Sequence, residues 1–157
     1  MDGRSETANC RVRGPLPDPH CTPGAIFADA TPTKICVRGY TKTVRSVSSK
    51  LRKQVYGEYG LGYPQERGAY EVDHLIPLEL GGNNDIANLF PEAAKPAPGF
   101  PEKDLVENFL AQEVCAGRAD LAAAQKLIAE NWLAVYNTLT PDQLKALKQQ
   151  YKNWSSR

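Results

Sequence analysis

Several features that would place a chain quickly in a class are missing from this one. No apolar run approaches the roughly 20 residues that a membrane-spanning helix needs, so nothing in the sequence is read as a span and no membrane partner is expected. The opening residues MDGRSETANC have no apolar centre. No secretory signal is therefore read there, although a mature chain preceded by an added Met would look the same. No CxxC pair occurs among Cys10, Cys21, Cys36 and Cys115, which argues against a zinc knuckle or a four-cysteine zinc site. Histidine is scarce, with only His20 and His74. His20 lies between Pro19 and Cys21 with no second histidine near it, and reads as a loop residue. Acid is missing from one long interval: between Asp29 and Glu58 there is no Asp or Glu, while Lys34, Arg38, Lys42, Arg45, Lys50, Arg52 and Lys53 all fall there. The net charge of +1 says little about partners, but clustered positive charge is the footprint of a phosphate-binding face. A solvated basic surface is the competing reading of that feature taken alone.

With 157 residues the chain is long enough to bury a sizeable core, and one domain over 1–157 is expected. Two disulfides suit the four cysteines better than a metal site does, and they imply an oxidising compartment, secreted or periplasmic. Free buried thiols in a cytoplasmic protein are the alternative. Four cysteines allow three pairings. The expected one joins Cys10 to Cys21 near the amino terminus and Cys36 to Cys115 between the basic segment and a later helix. Each bridge is expected to contribute about 2–4 kcal/mol by restricting the unfolded chain.

Residues 1–33 are rich in Pro, Gly, Asp and Thr and read as an irregular arm. Lys34–Val44 carries β-branched and aromatic residues around a glycine and suggests a short strand or hairpin. Ser46 or Ser48 can cap a helix running to about Tyr59 with Gly60 as its terminator; Leu51, Val55 and Tyr59 recur at helical spacing and are expected to face the core. Residues 60–68 read as a loop. After Pro91 a Pro/Ala/Gly-rich stretch precedes a helix over about 101–116, with Pro101 in its first turn, Glu102 and Asp104 suited to its amino-terminal end, and Gly117 as its stop. Leu105, Val106, Phe109, Leu110 and Val114 form its apolar stripe. Glu107 and Asn108 interrupt that stripe. Facing solvent is the ordinary outcome for such a pair; if buried, they need partners, and a metal centre is one candidate. Asp120 caps a helix to about Tyr136, and Thr140-Pro141 opens a last one ending near Trp154. Both read as bracing helices over 120–157.

The organising stretch is Tyr70–Glu92, YEVDHLIPLELGGNNDIANLFPE. A short strand pattern ends in an acid beside an imidazole, Asp73-His74. Turn formers follow at Gly81-Gly82-Asn83-Asn84-Asp85, and the chain turns apolar again through Asn88-Leu89-Phe90. Hydrolysis of a phosphodiester needs an activated water and something to absorb charge on the phosphate and the leaving oxygen. A neutral imidazole can take a proton near pH 7, and an Asp oxygen is a hard donor suited to Mg²⁺. Neighbouring strand residues point to opposite faces, so Asp73 and His74 can share one substrate only if the strand twists or ends there.

DHLIPLELGG followed by NDIANL resembles, in order and spacing, the signature of the HNH endonucleases, the ββα-metal nuclease family. A wider likeness to secreted-type bacterial HNH proteins runs over roughly 20–136, through Cys21-Thr-Pro-Gly24, Ile35-Cys36-x-x-Gly39-Tyr40, Lys103-Asp104-x-x-Glu107-Asn108 and Val114-Cys115-x-Gly117. The resemblance implies an α+β fold with a ββα core over 69–116, additional helices and the irregular amino-terminal arm. It implies a metal-dependent endonuclease that cuts DNA, with RNA as a further substrate, and without reading sequence. His74 is then the general base, Asn88 the residue that holds the loop so that His74 is oriented, and Asp73 a metal ligand. Asn108 is the other metal ligand, ahead of Glu107 or Asp104. Mg²⁺ is the expected ion, then Mn²⁺, with Zn²⁺ behind both. Ala111 stands where a His is expected in similar proteins, which leaves a weakened or inactive nucleic-acid-binding module as the alternative. A toxin nuclease with an immunity-protein partner is a further one. Lys42, Arg45, Lys50, Arg52 and Lys53 are expected to hold the phosphate backbone, and the protein is expected to be a monomer.

Overall fold

A computed structural model describes residues 3–154. The architecture is α+β: a two-stranded antiparallel sheet set among helices. β1 (Tyr70–His74) pairs with β2 (Leu89–Ala93) so that Glu71 faces Glu92, Asp73 faces Phe90 and His74 faces Leu89. The strands are joined by 75–88, which runs through two 3₁₀ turns, Leu78–Leu80 and Ile86–Asn88. Gly82 is required in this connection, because a Cβ there would lie 1.7 Å from the Ile76 carbonyl oxygen. Gly81 beside it has φ 82°, a conformation that costs glycine nothing. The sharp return that brings the second strand back against the first thus depends on the two adjacent glycines.

The arm before residue 32 is irregular, as its composition suggests, but firmly held. Cys10 is bonded to Cys21, the Asp18 carboxylate accepts from the backbone N–H of Arg11 and His20 at 2.9 Å each, and Ile26 bridges to Gly82. The strand or hairpin expected over Lys34–Val44 does not form. Two short helices stand there, α1 (Pro32–Ile35) and α2 (Tyr40–Val44). Thr31 caps the first with Pro32 in its opening turn, and Gly39, at φ 87°, separates it from the second. β-branched content was the misleading signal, since it reports fit to a pleated surface and no strand is available here to pair with. Cys36, next after α1, is bonded to Cys115.

α3 (Ser49–Glu58) starts where the Ser48 hydroxyl accepts from the Leu51 N–H at 3.1 Å. Val55 and Tyr56 are its buried residues; Leu51 and Tyr59, expected in the core, are only half-buried. α4 (Phe100–Cys115) opens with the Gly99 N–H donating to the Glu102 carboxylate at 2.7 Å, an acid placed favourably at a helix amino terminus. Leu105, Val106, Leu110 and Val114 pack from α4 into the core with Ile76 and Leu80. α5 (Leu121–Thr138), capped by Asp120 and kinked at Asn131, adds Ala124, Ile128 and Trp132. α6 (Pro141–Trp154) adds Leu147 and opens with reciprocal bonds between Thr140 and Gln143. α5 and α6 both lean on α4, and α4 lies against β1 with the polar edge of its stripe. Among the described residues no helix is long and apolar enough to cross a membrane.

Candidate functional site

β1 stops at His74, and that ending resolves the alternation problem posed by two neighbouring strand residues. Asp73 and His74 both line one cleft of about 480 Å³, bounded by β1, the polar edge of α4 and the segment from α1 to Arg45. Each is only 6% exposed, so what polar surface they keep is turned toward that cleft. The His74 Nε2 lies 3.0 Å from Asn84 Oδ1. Burial pushes the imidazole below its ordinary value, against the opposing pull of the Asn84 bond and the Asp73 charge. A depressed value means a neutral ring, free to accept a proton, at neutral pH.

Asn88 is wholly buried and does not reach the cleft. Its Oδ1 accepts from Ile76 N–H at 2.9 Å and Ala25 N–H at 3.3 Å. Its Nδ2 donates to the carbonyls of Ile76 and Asn83, both at 2.9 Å. One amide thereby ties the exit of β1, the turn-forming loop and the amino-terminal arm together. Its backbone carbonyl also accepts from Leu75 N–H at 2.8 Å, next to His74. Asn88 is a tether, with all its bonding capacity spent on backbone.

The floor of the cleft is more charged than the sequence suggests. Lys103 is fully buried; its ammonium donates to the His74 carbonyl at 2.8 Å and to the Glu107 carboxylate, and lies 3.0 Å from Asp73 Oδ2. That last contact is a buried ion pair. Glu107 and Asn108, for which exposure was the ordinary expectation, are 9% and 6% exposed. They sit on the side of α4 that meets β1, where Lys103 provides the partner that an apolar stripe could not. The Asn108 Nδ2 is buried without a partner. Glu71 and Glu92 face each other across the sheet, on the same side as Asp73.

Burial pushes Glu71 up to about 8, helped by the charges of Asp73 and Asp104. It pushes Glu92 up to about 9, helped by Asp73. Glu107 is raised by burial too, against the attraction of Lys103. Burial alone would strip the Lys103 proton, but Asp73 and Glu107 hold it in place. Around a single ammonium the fold has gathered more carboxyls than it can neutralise.

The structure brings Asp73, His74, Asp104, Glu107, Asn108 and Ala111 to one cleft, with Arg45 and Arg38 also on its lining. Lys42, Lys50, Arg52 and Lys53 are exposed but outside it, and Lys34 is paired with Asp29 at 2.8 Å. Glu71, Asn84, Glu92 and Lys103 carried no role in the sequence reading. The period-two placement of Glu71 with Asp73 and the four-residue step from Lys103 to Glu107 were the available signals. Among the described residues, the cluster of three His, Cys, Asp or Glu side chains close enough to share a metal is Glu6, Asp18 and Cys21. The Cys21 sulfur is already bonded to Cys10, so this cluster is not a metal centre. Comparison with protein-family models, curated proteins and solved structures found no match to this chain.

Proposed function

We propose that this chain is a metal-dependent endonuclease of the HNH, ββα-metal kind, hydrolysing DNA, and RNA where it fits the cleft, without reading sequence. The observation that carries the reading is the convergence of Asp73 and His74, from the end of one strand, with Arg45 and Asn108 on one polar cleft. The strand, strand, helix order of β1, β2 and α4 supports it.

The donor set fits a hard divalent ion. Asp73 offers a carboxylate that the Lys103 ammonium meets on one oxygen, at 3.0 Å, and Asn108 offers an amide in the same cleft. Glu107 is engaged by Lys103, which favours Asn108 as the second ligand. Mg²⁺ or Mn²⁺ held by Asp73 and Asn108 would stabilise the negative charge that develops on the phosphate and the departing oxygen.

His74 accepts the proton of a water whose oxygen attacks phosphorus while the bond to the 3′ oxygen breaks, leaving a 5′-phosphate and a 3′-hydroxyl that takes a proton from solvent. Asn88 keeps the strand exit in place beneath it. Arg45 meets the phosphate in the cleft, and Lys42, Lys50, Arg52 and Lys53 hold the backbone beyond it, contacts that position without specifying sequence. The two disulfides accord with work in an oxidising compartment, secreted or periplasmic.

A second reading has its own support. Ala111 places a methyl on the cleft one turn beyond Asn108, and Lys103 competes for the Asp73 carboxylate. Both favour a slow nuclease or a binding module. Digestion of supercoiled plasmid with Mg²⁺, Mn²⁺, Zn²⁺ or EDTA separates the two. Cutting with Mg²⁺ or Mn²⁺ that EDTA abolishes is the expected result. Binding without cutting under every metal would establish the module instead.

A further inference from the structure

Asn84, in the turn-forming loop between the strands, hydrogen-bonds to both the imidazole and the basic segment. Its Nδ2 donates to the Val44 carbonyl at 2.7 Å, and its Oδ1 accepts from the Ser46 N–H at 3.2 Å. These are the two backbone groups on either side of Arg45, which with Arg38 lines the cleft. The same Oδ1 lies 3.0 Å from His74 Nε2.

The orientation of an Asn amide has to be inferred from its neighbours, and here the backbone decides it. Rotating the amide by half a turn would aim its NH₂ at the Ser46 N–H and its oxygen at the Val44 carbonyl, two clashes of like groups. The oxygen therefore faces His74, and an amide oxygen can only accept. The imidazole must carry its proton on Nε2, which leaves the lone pair on Nδ1.

We infer that Asn84 is a positioning residue with two simultaneous tasks: it fixes His74 as the Nε2–H tautomer, so that Nδ1 is the proton-accepting atom, and it locks the backbone around Arg45 at the edge of the same cleft. The phosphate-binding arginine and the base are thereby held in register by one amide. This rests on the nuclease reading for its consequence, though not for the tautomer itself.

The test uses the full-length chain in two measurements. With ¹⁵N-labelled histidine, His20→Asn leaves His74 as the one remaining imidazole, and its nitrogen resonances at a pH where the ring is neutral report the tautomer without any need for activity. The expected result is a single Nε2–H form with that proton protected from solvent exchange. An Nδ1–H form, or rapid averaging between the two, overturns the inference. Asn84→Ala is expected to lose the protection, lower kcat by roughly 10–100-fold, the usual scale for losing an orienting partner, and raise KM.

Asn84→Asp keeps the acceptor for His74 and Ser46 but loses the donor to Val44. It is expected to recover kcat while KM stays raised, a split that a merely structural role would not produce. Equal kcat in wild type and Asn84→Ala would overturn the positioning role. If Asn84→Ala does not fold, the wild-type spectrum and Asn84→Asp decide the matter. Absence of cutting by wild type would sink the nuclease reading instead, and the spectrum would still decide the tautomer.

Discussion

Glu92 is 2% exposed, lies opposite Glu71 in the sheet, and has one carboxyl oxygen without a hydrogen-bond partner. Its carboxyl is held at about 9 in the folded chain, against an ordinary 4.5. This is the reverse of a salt-bridged acid. Between those two values the folded state binds a proton that the unfolded state has released, so the contribution to stability is complete below about pH 4.5 and is lost as pH rises toward 9. One such group gives a slope of at most about 1.4 kcal/mol per pH unit. Glu92→Gln should flatten the fall in stability across that window, measured as urea unfolding at a series of pH values. Parallel curves for the two proteins would show that Glu92 ionises freely. The burial behind this behaviour was not legible in the sequence. Glu71 and Glu92 look like ordinary strand polar residues until the register sets them face to face over Lys103.

At the scale of elements, legibility followed the strength of the local signal. α4, α5 and α6 start at signals that could be read in advance, Pro101 with Glu102 in the first turn, Asp120, and Thr140 with Pro141, and the apolar spacing ran along their lengths. Helices over 32–44 were not legible, because four- and five-residue helices carry too little periodicity to outweigh β-branched composition. That segment is held in place from outside, by the bond from Cys36 to Cys115 across 79 residues at the far end of α4. Replacing both cysteines with serine should cost about 2–4 kcal/mol, seen as a lower melting temperature. The pair at Cys10 and Cys21 closes only 11 residues and should cost less. An equal loss from the two would mean that chain restriction is not the source of their stabilisation.

For the molecule as a whole, the division between cleft and basic face is the property that composition nearly conceals. A net charge of +1 averages an acid-rich cleft floor with an interval free of acid, whose Lys42, Lys50, Arg52 and Lys53 face outward. Lys50→Ala with Arg52→Ala, both exposed and outside the cleft, should weaken DNA binding. The slope of log affinity against log salt should also fall, by up to about 0.9 for each phosphate that is no longer neutralised. Fluorescence anisotropy over a salt series measures both. An unchanged slope would take these two residues off the phosphate backbone. The central pair was legible because Asp73-His74, the two glycines and Asn88 stand close together in sequence. Lys103, Asn84 and the buried state of Glu107 were not, because each becomes meaningful only through a partner brought to it across the fold.

The most direct measurement compares plasmid digestion by wild type and His74→Ala in Mg²⁺, with DNA affinity and melting temperature recorded for both. Loss of a general base costs about 10²–10⁴ in rate. His74→Ala is expected to bind DNA and melt as wild type does while cutting slower by that factor. Equal cutting by the two proteins would contradict this and place the base elsewhere.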